Sequence, residues 1–315
     1  MRLWQSLMIA LARNRRLTDF MHRNAAASAL ARQFVGGRDL AAAIQTARGL
    51  HERGIGASLF YLGEYVADPA LVRETVAQKI AAIEALAEAG LDIHVSVDPT
   101  QIGYSIDADL GRRNGLAIGQ ALARAVAGRN SGRNYLMLDM EDWTLVTTTL
   151  QLRDELAAAG VPVAQTLQAY LRRTAADLEP IIAAGGAVRL VKGAFADRTE
   201  RAFSSRAAID ANYLALADRM LSDDARKSGF YPIFGTHDER LAIRILALAE
   251  TRGWPRGSLE FEMLYGVHPR LQRLMADGAR LRLYLPFGEA WFPYAIRRVG
   301  ESPHNLRLIL RALAS

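Results

Sequence analysis

The feature that most constrains the fold is a repeated alternation of short strand patterns and longer helical patterns after residue 55. Helical patterns rich in alanine and arginine, such as 71–88, 177–183 and 240–251, separate eight short β-branched, leucine-rich or aromatic segments. Those eight segments are 55–62, 93–97, 134–138, 161–167, 187–191, 230–234, 259–264 and 281–285. Strands separated by helices pair in parallel, and eight such units close into a barrel. The sequence therefore predicts an α/β fold, a distorted (βα)8 barrel of the TIM type.

The domain organisation follows from length and composition. A chain of 315 residues that is 50% apolar can bury a large core, and barrels of this size commonly form one domain. Residues 1–50 are predicted to be a helical lead-in, and residues 51–315 the barrel, with a C-terminal helix over its mouth. A doubly wound sheet is the alternative, but no Gly-x-Gly-x-x-Gly follows any predicted strand.

Composition excludes several classes of function. The chain has no cysteine, which excludes disulfides, thiolate metal sites and a cysteine nucleophile. Its six histidines show no paired spacing typical of metal ligands, so we expect no metal centre. The net charge is +6, but the basic residues are scattered apart from Arg13, Arg15 and Arg16. Without an aromatic-interleaved basic motif, nucleic-acid binding is not expected.

The N-terminal segment has a short apolar run that ends at Arg13, unlike a signal peptide with a clean cleavage site. It is better interpreted as an amphipathic helix packed on the domain, with peripheral contact at the inner membrane face as an alternative. No apolar stretch approaches the ~20 residues that span a bilayer. A cytoplasmic location is predicted, and the oligomeric state is left open.

Polar or ionisable side chains lie at or near seven of the eight predicted strand ends. Barrel enzymes carry their chemistry at the C-terminal ends of the strands, so these residues predict a functional site there. Asp142 is interpreted as a helix cap and Asp139 as functional. The residues are Asp98, Asp139 with Glu141 and Asp142, Gln168, Lys192, Thr236 with His237 and Asp238, Glu262, and Tyr284.

A second cluster follows the last strand. Tyr294, Arg297, Arg298 and Glu301 are spaced by three, four and seven, so they share one face of a predicted helix that begins at Pro293. Adjacent guanidiniums repel each other unless an anion lies between them, and a carboxylate matches their geometry. This face therefore indicates a small substrate that carries an acid.

Lys192 leaves three interpretations open. It could form a Schiff base as in a barrel aldolase, act as a fixed cation beside an anionic or electron-rich cofactor, or belong to a structural ion pair. The following Gly193 would let the backbone approach a ligand closely. His237 is interpreted as a hydrogen-bonding partner of a cofactor.

These segments together resemble one family, the proline dehydrogenases, from about Phe34 to the C-terminus. Each motif is weak alone, but their order across the strand ends is specific. The matching motifs are Leu138-Asp-Met-Glu-Asp142, Leu167-Gln-Ala-Tyr-Leu-Arg172, Arg189-Leu-Val-Lys-Gly-Ala194, Thr236-His-Asp238, Leu264-Tyr-Gly266, Tyr284-Leu-Pro-Phe-Gly288 and Tyr294-x-x-Arg-Arg-x-x-Glu301.

The resemblance implies FAD at the barrel mouth and oxidation of L-proline to Δ1-pyrroline-5-carboxylate, with electrons passed to a quinone. It implies that Arg297 and Arg298 pair with the substrate carboxylate and that Asp139 orients them. The pocket walls would be Leu264, Tyr284 and Tyr294. The FAD contacts would be Gln168, Arg189, Val191, Lys192, Gly193, Ala194, Thr236, His237 and Glu301.

Two positions in the implied substrate pocket depart from the family pattern. Asp98 stands where the family has a lysine, and Phe195 stands where it usually has tyrosine. Replacing a cation by an anion favours one of two outcomes: the affinity for proline is weaker, or the substrate is a related cyclic amino acid. An aldolase that uses Lys192 and a barrel that binds its ligand without turnover are the remaining alternatives.

Overall fold

Eight parallel strands close into a barrel in the order β1 to β8 in this computed structural model. The structure describes residues 33–63, 66–129, 131–194, 199–267, 279–291 and 294–295. The strands confirm the predicted (βα)8 barrel, with each boundary within two residues of its prediction. They are β1 Gly56–Tyr61, β2 His94–Val97, β3 Tyr135–Leu138, β4 Val163–Gln168, β5 Ala187–Val191, β6 Tyr231–Gly235, β7 Glu260–Leu264 and β8 Arg280–Phe287.

Most of the described helices follow a strand, and six of the eight begin after a residue whose side chain caps them. Asp68 accepts a hydrogen bond from the Ala70 amide and Pro69 follows it, which is a favourable helix start. Asp107 caps the next helix in the same way, through the Leu110 amide. The helices are α1 Leu40–His51, α2 Pro69–Glu88, α3 Ala108–Val126, α4 Val146–Ala158, α5 Thr174–Ala183, α6 Arg206–Met220, α7 Asp223–Ser228 and α8 Glu239–Thr251.

Helix α1 lies before the first strand and packs against β1 and β8. It crosses the predicted boundary at residue 50, because it continues to His51. The division into a lead-in and a barrel stays a prediction, since most of residues 1–50 and the C-terminal helix lie outside the described residues. None of the helices described is both long enough and apolar enough to cross a bilayer.

The barrel has an apolar outer layer and a polar interior. Leucine, isoleucine and valine side chains fill the space between strands and helices. Inside, Arg282 is 1% exposed and pairs with Glu260 at 2.7 Å and with Asp92 at 3.0 Å. Buried charges are tolerated when they are paired, as they are in this network.

β1 and β2 pair over fewer residues than the other adjacent strands of the barrel. β1 and β8 pair over six residues, whereas β1 and β2 are in register only at Leu59 and Val95. Beyond this point a side chain supplies the hydrogen bonds that a neighbouring strand would otherwise donate. Gln101 Nε2 donates to the carbonyl of Tyr61 at 3.0 Å and to that of Gly63. The barrel therefore has a seam between β1 and β2 toward its mouth.

Candidate active site

Asp139 and Tyr284 meet across the barrel mouth. Asp139 follows β3 directly, is 7% exposed, and its amide is held by the carbonyl of Val97 at 2.9 Å. The phenol of Tyr284 donates to Asp139 Oδ2 at 3.0 Å. Tyr284 lies within β8, as in the predicted strand, so its side chain belongs to the barrel wall.

Arg189 on β5 lies beneath this pair and is fixed by ion pairs. Its guanidinium pairs with Asp139 and, at 2.5 Å, with Glu262 Oε1. The guanidinium also donates to Thr166 Oγ1 at 2.8 and 3.1 Å. Its central carbon, Cζ, lies 5.5 Å from the ring centroid of Tyr284. A cation with this many partners is preorganised and cannot swing out without leaving buried carboxylates unpaired.

Tyr284 stays protonated in this environment. Burial and the nearby charge of Asp98 raise the pKa of Tyr284 well above its usual value, although Arg189 opposes them. Its ring packs 5.1 Å from that of Phe60, and Tyr294, 5% exposed, lies near enough to affect it. The mouth therefore presents an aromatic wall with one fixed hydroxyl donor.

Gln168 ends β4 and ties the loop after β3 to the site. Its Nε2 donates to the carbonyls of Glu141 at 3.0 Å and Met140 at 3.3 Å. Glu141 in turn accepts from the amide and hydroxyl of Thr100 at 2.8 and 2.7 Å. Asp142 caps the short helix Trp143–Leu145 through the Thr144 amide, as predicted. Gln168 Oε1 is buried and has no hydrogen-bond partner among the described residues.

Lys192 lies at the rim and is engaged by two carboxylates. Its Nζ is 2.5 Å from Asp210 and 2.9 Å from Asp238. Asp238 also caps α8 through the Arg240 amide. Burial acts to raise the pKa of Asp238, but the hydrogen bond from Lys192 and backbone donors outweigh it and hold the pKa below its usual value. These contacts are those of a fixed cation.

The ends of β6 and β7 are joined by a histidine. His237 Nε2 accepts from the Leu264 amide at 3.1 Å, so the ring proton of a neutral imidazole lies on Nδ1. Thr236 is buried and its hydroxyl accepts from the Asp238 amide at 3.0 Å. The predicted site residues at these two strand ends therefore form one connected edge of the mouth.

Gly193 follows β5 in a conformation that favours glycine. Its φ is +102°, and an added Cβ would lie 2.0 Å from Cδ1 of Tyr170. Val191 ends β5 and is partly buried, and Ala194 is exposed. Glycine at this position therefore allows close packing against Tyr170, and its predicted approach to a ligand stays a prediction.

Four predicted site residues lie outside the described residues: Phe195, Arg297, Arg298 and Glu301. Their roles stay predictions. The other predicted residues all lie at one end of the barrel, but the contacts fall into two groups. Asp139, Tyr284 and Arg189 form one group, and Lys192 with the 236–238 segment forms the other.

Lys79 was not identified from the sequence, although its position on an apolar helix face indicated that it is buried. Lys79 is 0% exposed and lies on the buried stripe of α2 with Val72, Thr75 and Ile83. A lysine at an apolar position of an amphipathic helix indicates a buried cation with a partner. Glu262 was identified as a strand-end residue, but its pairing with Arg189 was not anticipated.

A buried cluster of possible metal ligands lies deeper in the barrel. Ligand atoms of His94, Glu260 and Glu262 lie within 4.8 Å of one another. Each glutamate already pairs with an arginine, Glu260 with Arg282 and Glu262 with Arg189. The cluster is therefore part of the interior ion-pair network.

The fold and the residues at the mouth together define the class of protein. A closed eight-stranded parallel barrel with clustered acid, base and aromatic groups at the strand ends is a (βα)8-barrel enzyme. Proline utilization A from Bdellovibrio bacteriovorus has the same fold, with a TM-score of 0.76 at 22% identity over 87% of this chain. This chain spans about a third of that solved chain, 32% of its length.

The family follows from sequence comparison. The profile described as proline dehydrogenase matches residues 43–308. Proline dehydrogenase 2 of Bacillus subtilis is 31% identical over 93% of each chain, and the proline dehydrogenase of Deinococcus radiodurans is 34% identical over 90% of each. The chain belongs to the proline dehydrogenase family, and the predictions of this family and of an oxidoreductase are confirmed.

Proposed function

We propose that this protein oxidises L-proline to Δ1-pyrroline-5-carboxylate in proline catabolism, with FAD as the hydride acceptor and a quinone as the final electron acceptor. Membership of the family supports the reaction. The single observation of the site that supports it most is the Asp139–Tyr284–Arg189 cluster, in which a fixed cation and a buried tyrosine ring lie together at the mouth.

The residues at the mouth fit a flavin. The buried acceptor Gln168 Oε1, partnerless among the described residues, suits an N–H group of the isoalloxazine edge. Gly193 is exposed at the end of β5, and its lack of a side chain lets Tyr170 pack against this segment, which we propose as part of the cofactor site. Lys192 lies at the rim, where Asp210 and Asp238 fix its ammonium, and we propose it as a cofactor contact on the basis of the family resemblance. We propose His237, Thr236, Val191 and Ala194 as further contacts, with Glu301 outside the described residues.

The protein's own contribution is orientation and electrostatics. A bound flavin supplies the acceptor for the hydride that leaves C5 of the proline ring, while the ring nitrogen loses a proton and the C=N bond forms. Arg189 stabilises negative charge that develops in an adjacent ring system, because its guanidinium is already fixed by Glu262 and Asp139. Tyr284 and Leu264 wall the substrate pocket.

The substrate carboxylate is assigned to Arg297 and Arg298 on the basis of the family resemblance. Both lie outside the described residues, whereas Tyr294, which precedes them, is buried and lies near Tyr284. The position of Tyr294 beside Tyr284 supports this assignment. Asp139 holds the polar side of that pocket, since one of its oxygens already accepts from Tyr284.

A related cyclic amino acid is the second candidate substrate, and Asp98 favours it. Asp98 is half-buried and directly follows β2 at the mouth, and its charge contributes to the raised pKa of Tyr284. Steady-state rates with proline, hydroxyproline and pipecolate test the choice. Proline with the highest kcat/KM, and a KM no worse than in an Asp98→Lys variant, supports the first proposal, whereas a strong preference for another ring supports the second.

The Schiff-base alternative has its own test. Borohydride added with substrate would label Lys192 irreversibly if the amine formed an imine. The two carboxylates at 2.5 and 2.9 Å from Lys192 support a fixed cation instead. We therefore expect no labelling at Lys192, and a labelled peptide containing this residue would contradict the flavin proposal.

A further inference from the structure

Arg189 is paired with more negative charge than its own charge requires. Its guanidinium pairs with Asp139 at the mouth and, at 2.5 Å, with Glu262 Oε1. All three side chains are buried, so solvent screens their charges weakly. One guanidinium and two carboxylates carry a net formal charge of −1. One carboxylate is therefore present beyond the one that neutralises Arg189.

The two carboxylates differ in their partners. Asp139 Oδ2 accepts from the phenol of Tyr284 at 3.0 Å, so Asp139 also serves the aromatic wall of the mouth. Glu262 Oε1 accepts from Arg189, and Glu262 Oε2 is buried without a hydrogen-bond partner among the described residues. Glu262 is thus the carboxylate whose contacts are directed at the guanidinium.

The neighbours of Glu262 inside the barrel are engaged elsewhere or neutral. Arg282 donates to the two oxygens of Glu260 at 2.7 and 3.2 Å. A ring nitrogen of His94 lies within 4.8 Å of an oxygen of each glutamate, but burial and the nearby arginines lower the pKa of His94 well below its usual value, so the ring is neutral. Contact with the permanently charged Arg189 favours the ionised form of Glu262.

Arg189 is the group through which the charge of Glu262 would reach a cofactor. The family resemblance places Arg189 among the FAD contacts, and its Cζ lies 5.5 Å from the ring centroid of Tyr284, a proposed wall of the pocket. A cation beside a flavin favours the electron-rich reduced ring, and an anion close to that cation opposes the effect. The sign of the contribution of Glu262 follows from this opposition.

We propose that Glu262 is a positioning residue that fixes the Arg189 guanidinium and, by its negative charge, lowers the reduction potential of the flavin that Arg189 contacts. This inference rests on the proposed function, since the flavin belongs to that proposal. A lower potential makes the ring a weaker acceptor for the hydride of the substrate and a better donor to the final electron acceptor. Glu262 therefore divides the driving force between the two halves of the proposed reaction.

The test measures the midpoint potential of the bound flavin against a reference dye, with no proline present. Glu262→Gln removes the charge and keeps an oxygen that can accept from Arg189. The equilibrium constant for two-electron reduction of the flavin should rise about tenfold or more, and tenfold corresponds to an increase of about 30 mV. A potential that is unchanged or lower would overturn the proposal.

Glu262→Asp and Glu260→Gln are the matched controls. Glu262→Asp keeps the charge, so the equilibrium constant should stay within about threefold of that of the wild type. Glu260 is also buried on β7, but it pairs with Arg282 and lies two residues, roughly 6–7 Å, farther from the mouth. Glu260→Gln should therefore change the constant by less than about threefold. Equal shifts in Glu260→Gln and Glu262→Gln would show that the effect does not act through Arg189.

A second variant covers the case in which Glu262→Gln does not fold or does not retain FAD. Glu262→Met removes the same charge with an apolar side chain of similar length, and the potential should rise in the same direction. Since no substrate enters the measurement, its result is separate from the choice of substrate. A flavin whose potential shifts as predicted, but which L-proline does not bleach, supports this inference and contradicts the proposed reaction. A wild-type protein that binds no flavin contradicts both.

Discussion

Tyr284 on β8 donates a hydrogen bond over 3.0 Å to Asp139 at the end of β3, so two distant strands of the barrel share one polar contact at its mouth. Asp139 pairs with Arg189 through its other oxygen. The phenol, the carboxylate and the guanidinium thus hold one another in place. In the proposed reaction they need no rearrangement when a substrate arrives, which is the preorganisation that makes electrostatic catalysis effective.

Tyr284→Phe tests this contact. A hydrogen bond to a charged group is worth about 1.5–3 kcal/mol, and each 1.4 kcal/mol is about tenfold in rate. We expect kcat/KM for proline to fall roughly tenfold to a hundredfold. Tyr61→Phe is the matched control, because the Tyr61 hydroxyl also bonds a carboxylate, at 2.9 Å, but that of Glu74 on the exposed outer helix α2. Similar losses in the two variants would remove the special role of Tyr284.

The Arg189–Glu262 pair should contribute to stability as well as to the site. Removing one partner of a buried ion pair costs about 3–5 kcal/mol, since the other charge remains buried. Glu262→Gln should therefore lose about 3 kcal/mol of unfolding free energy by urea denaturation, because Asp139 still pairs with Arg189.

The control for this prediction is Glu179→Gln. Glu179 also pairs with an arginine, Arg219, at 2.5 Å, but its side chain is 51% exposed. Surface pairs are worth at most about 1 kcal/mol. An equally large loss in both variants would show that Glu262 is not a buried partner of the site.

Gly193→Ala separates backbone conformation from close approach. Gly193 and Gly229 both have positive φ, +102° and +81°, but a Cβ at Gly229 would meet nothing within 4 Å. Gly229→Ala should cost only the conformational term of about 1–2 kcal/mol. Gly193→Ala must also displace Tyr170, so we expect a larger loss of stability and reduced retention of flavin on gel filtration. Identical behaviour of the two variants would contradict the close packing at the mouth.

Asp238 makes a pH-dependent contribution to stability. Its pKa in the folded protein is below the unfolded value of about 3.9, so its contribution is present at neutral pH. That contribution is lost as the pH falls through the folded pKa and Asp238 takes up a proton. The stability difference between wild type and Asp238→Asn should therefore shrink below about pH 4. A difference that is the same at pH 7 and pH 3 would show that Lys192 does not stabilise the charged form.

The sequence predicted the barrel well because strand and helix periodicities are local. The eight strands and the capping role of Asp142 could be identified from neighbouring residues alone. The length of β8 could not, because its last residues are held by β1 across the closure of the barrel, as in the pairing of Phe60 with Pro286.

The candidate site was predicted less completely, for the same physical reason. Strand-end positions identified Asp139 and Lys192, since every strand of a parallel barrel ends on one rim. The ion pair of Arg189 with Glu262 and the insertion of Lys79 depend on contacts between side chains far apart in sequence. Only the apolar stripe around Lys79 carried a local sign of its burial.

The most direct test of the proposed function is the visible spectrum of the purified protein under anaerobic conditions, before and after addition of L-proline. The account predicts a flavin band near ~450 nm, a general property of oxidised flavins, that bleaches on addition of L-proline and returns when a quinone is added. A protein with no flavin band after reconstitution with FAD, or a band that L-proline leaves unchanged, would contradict it.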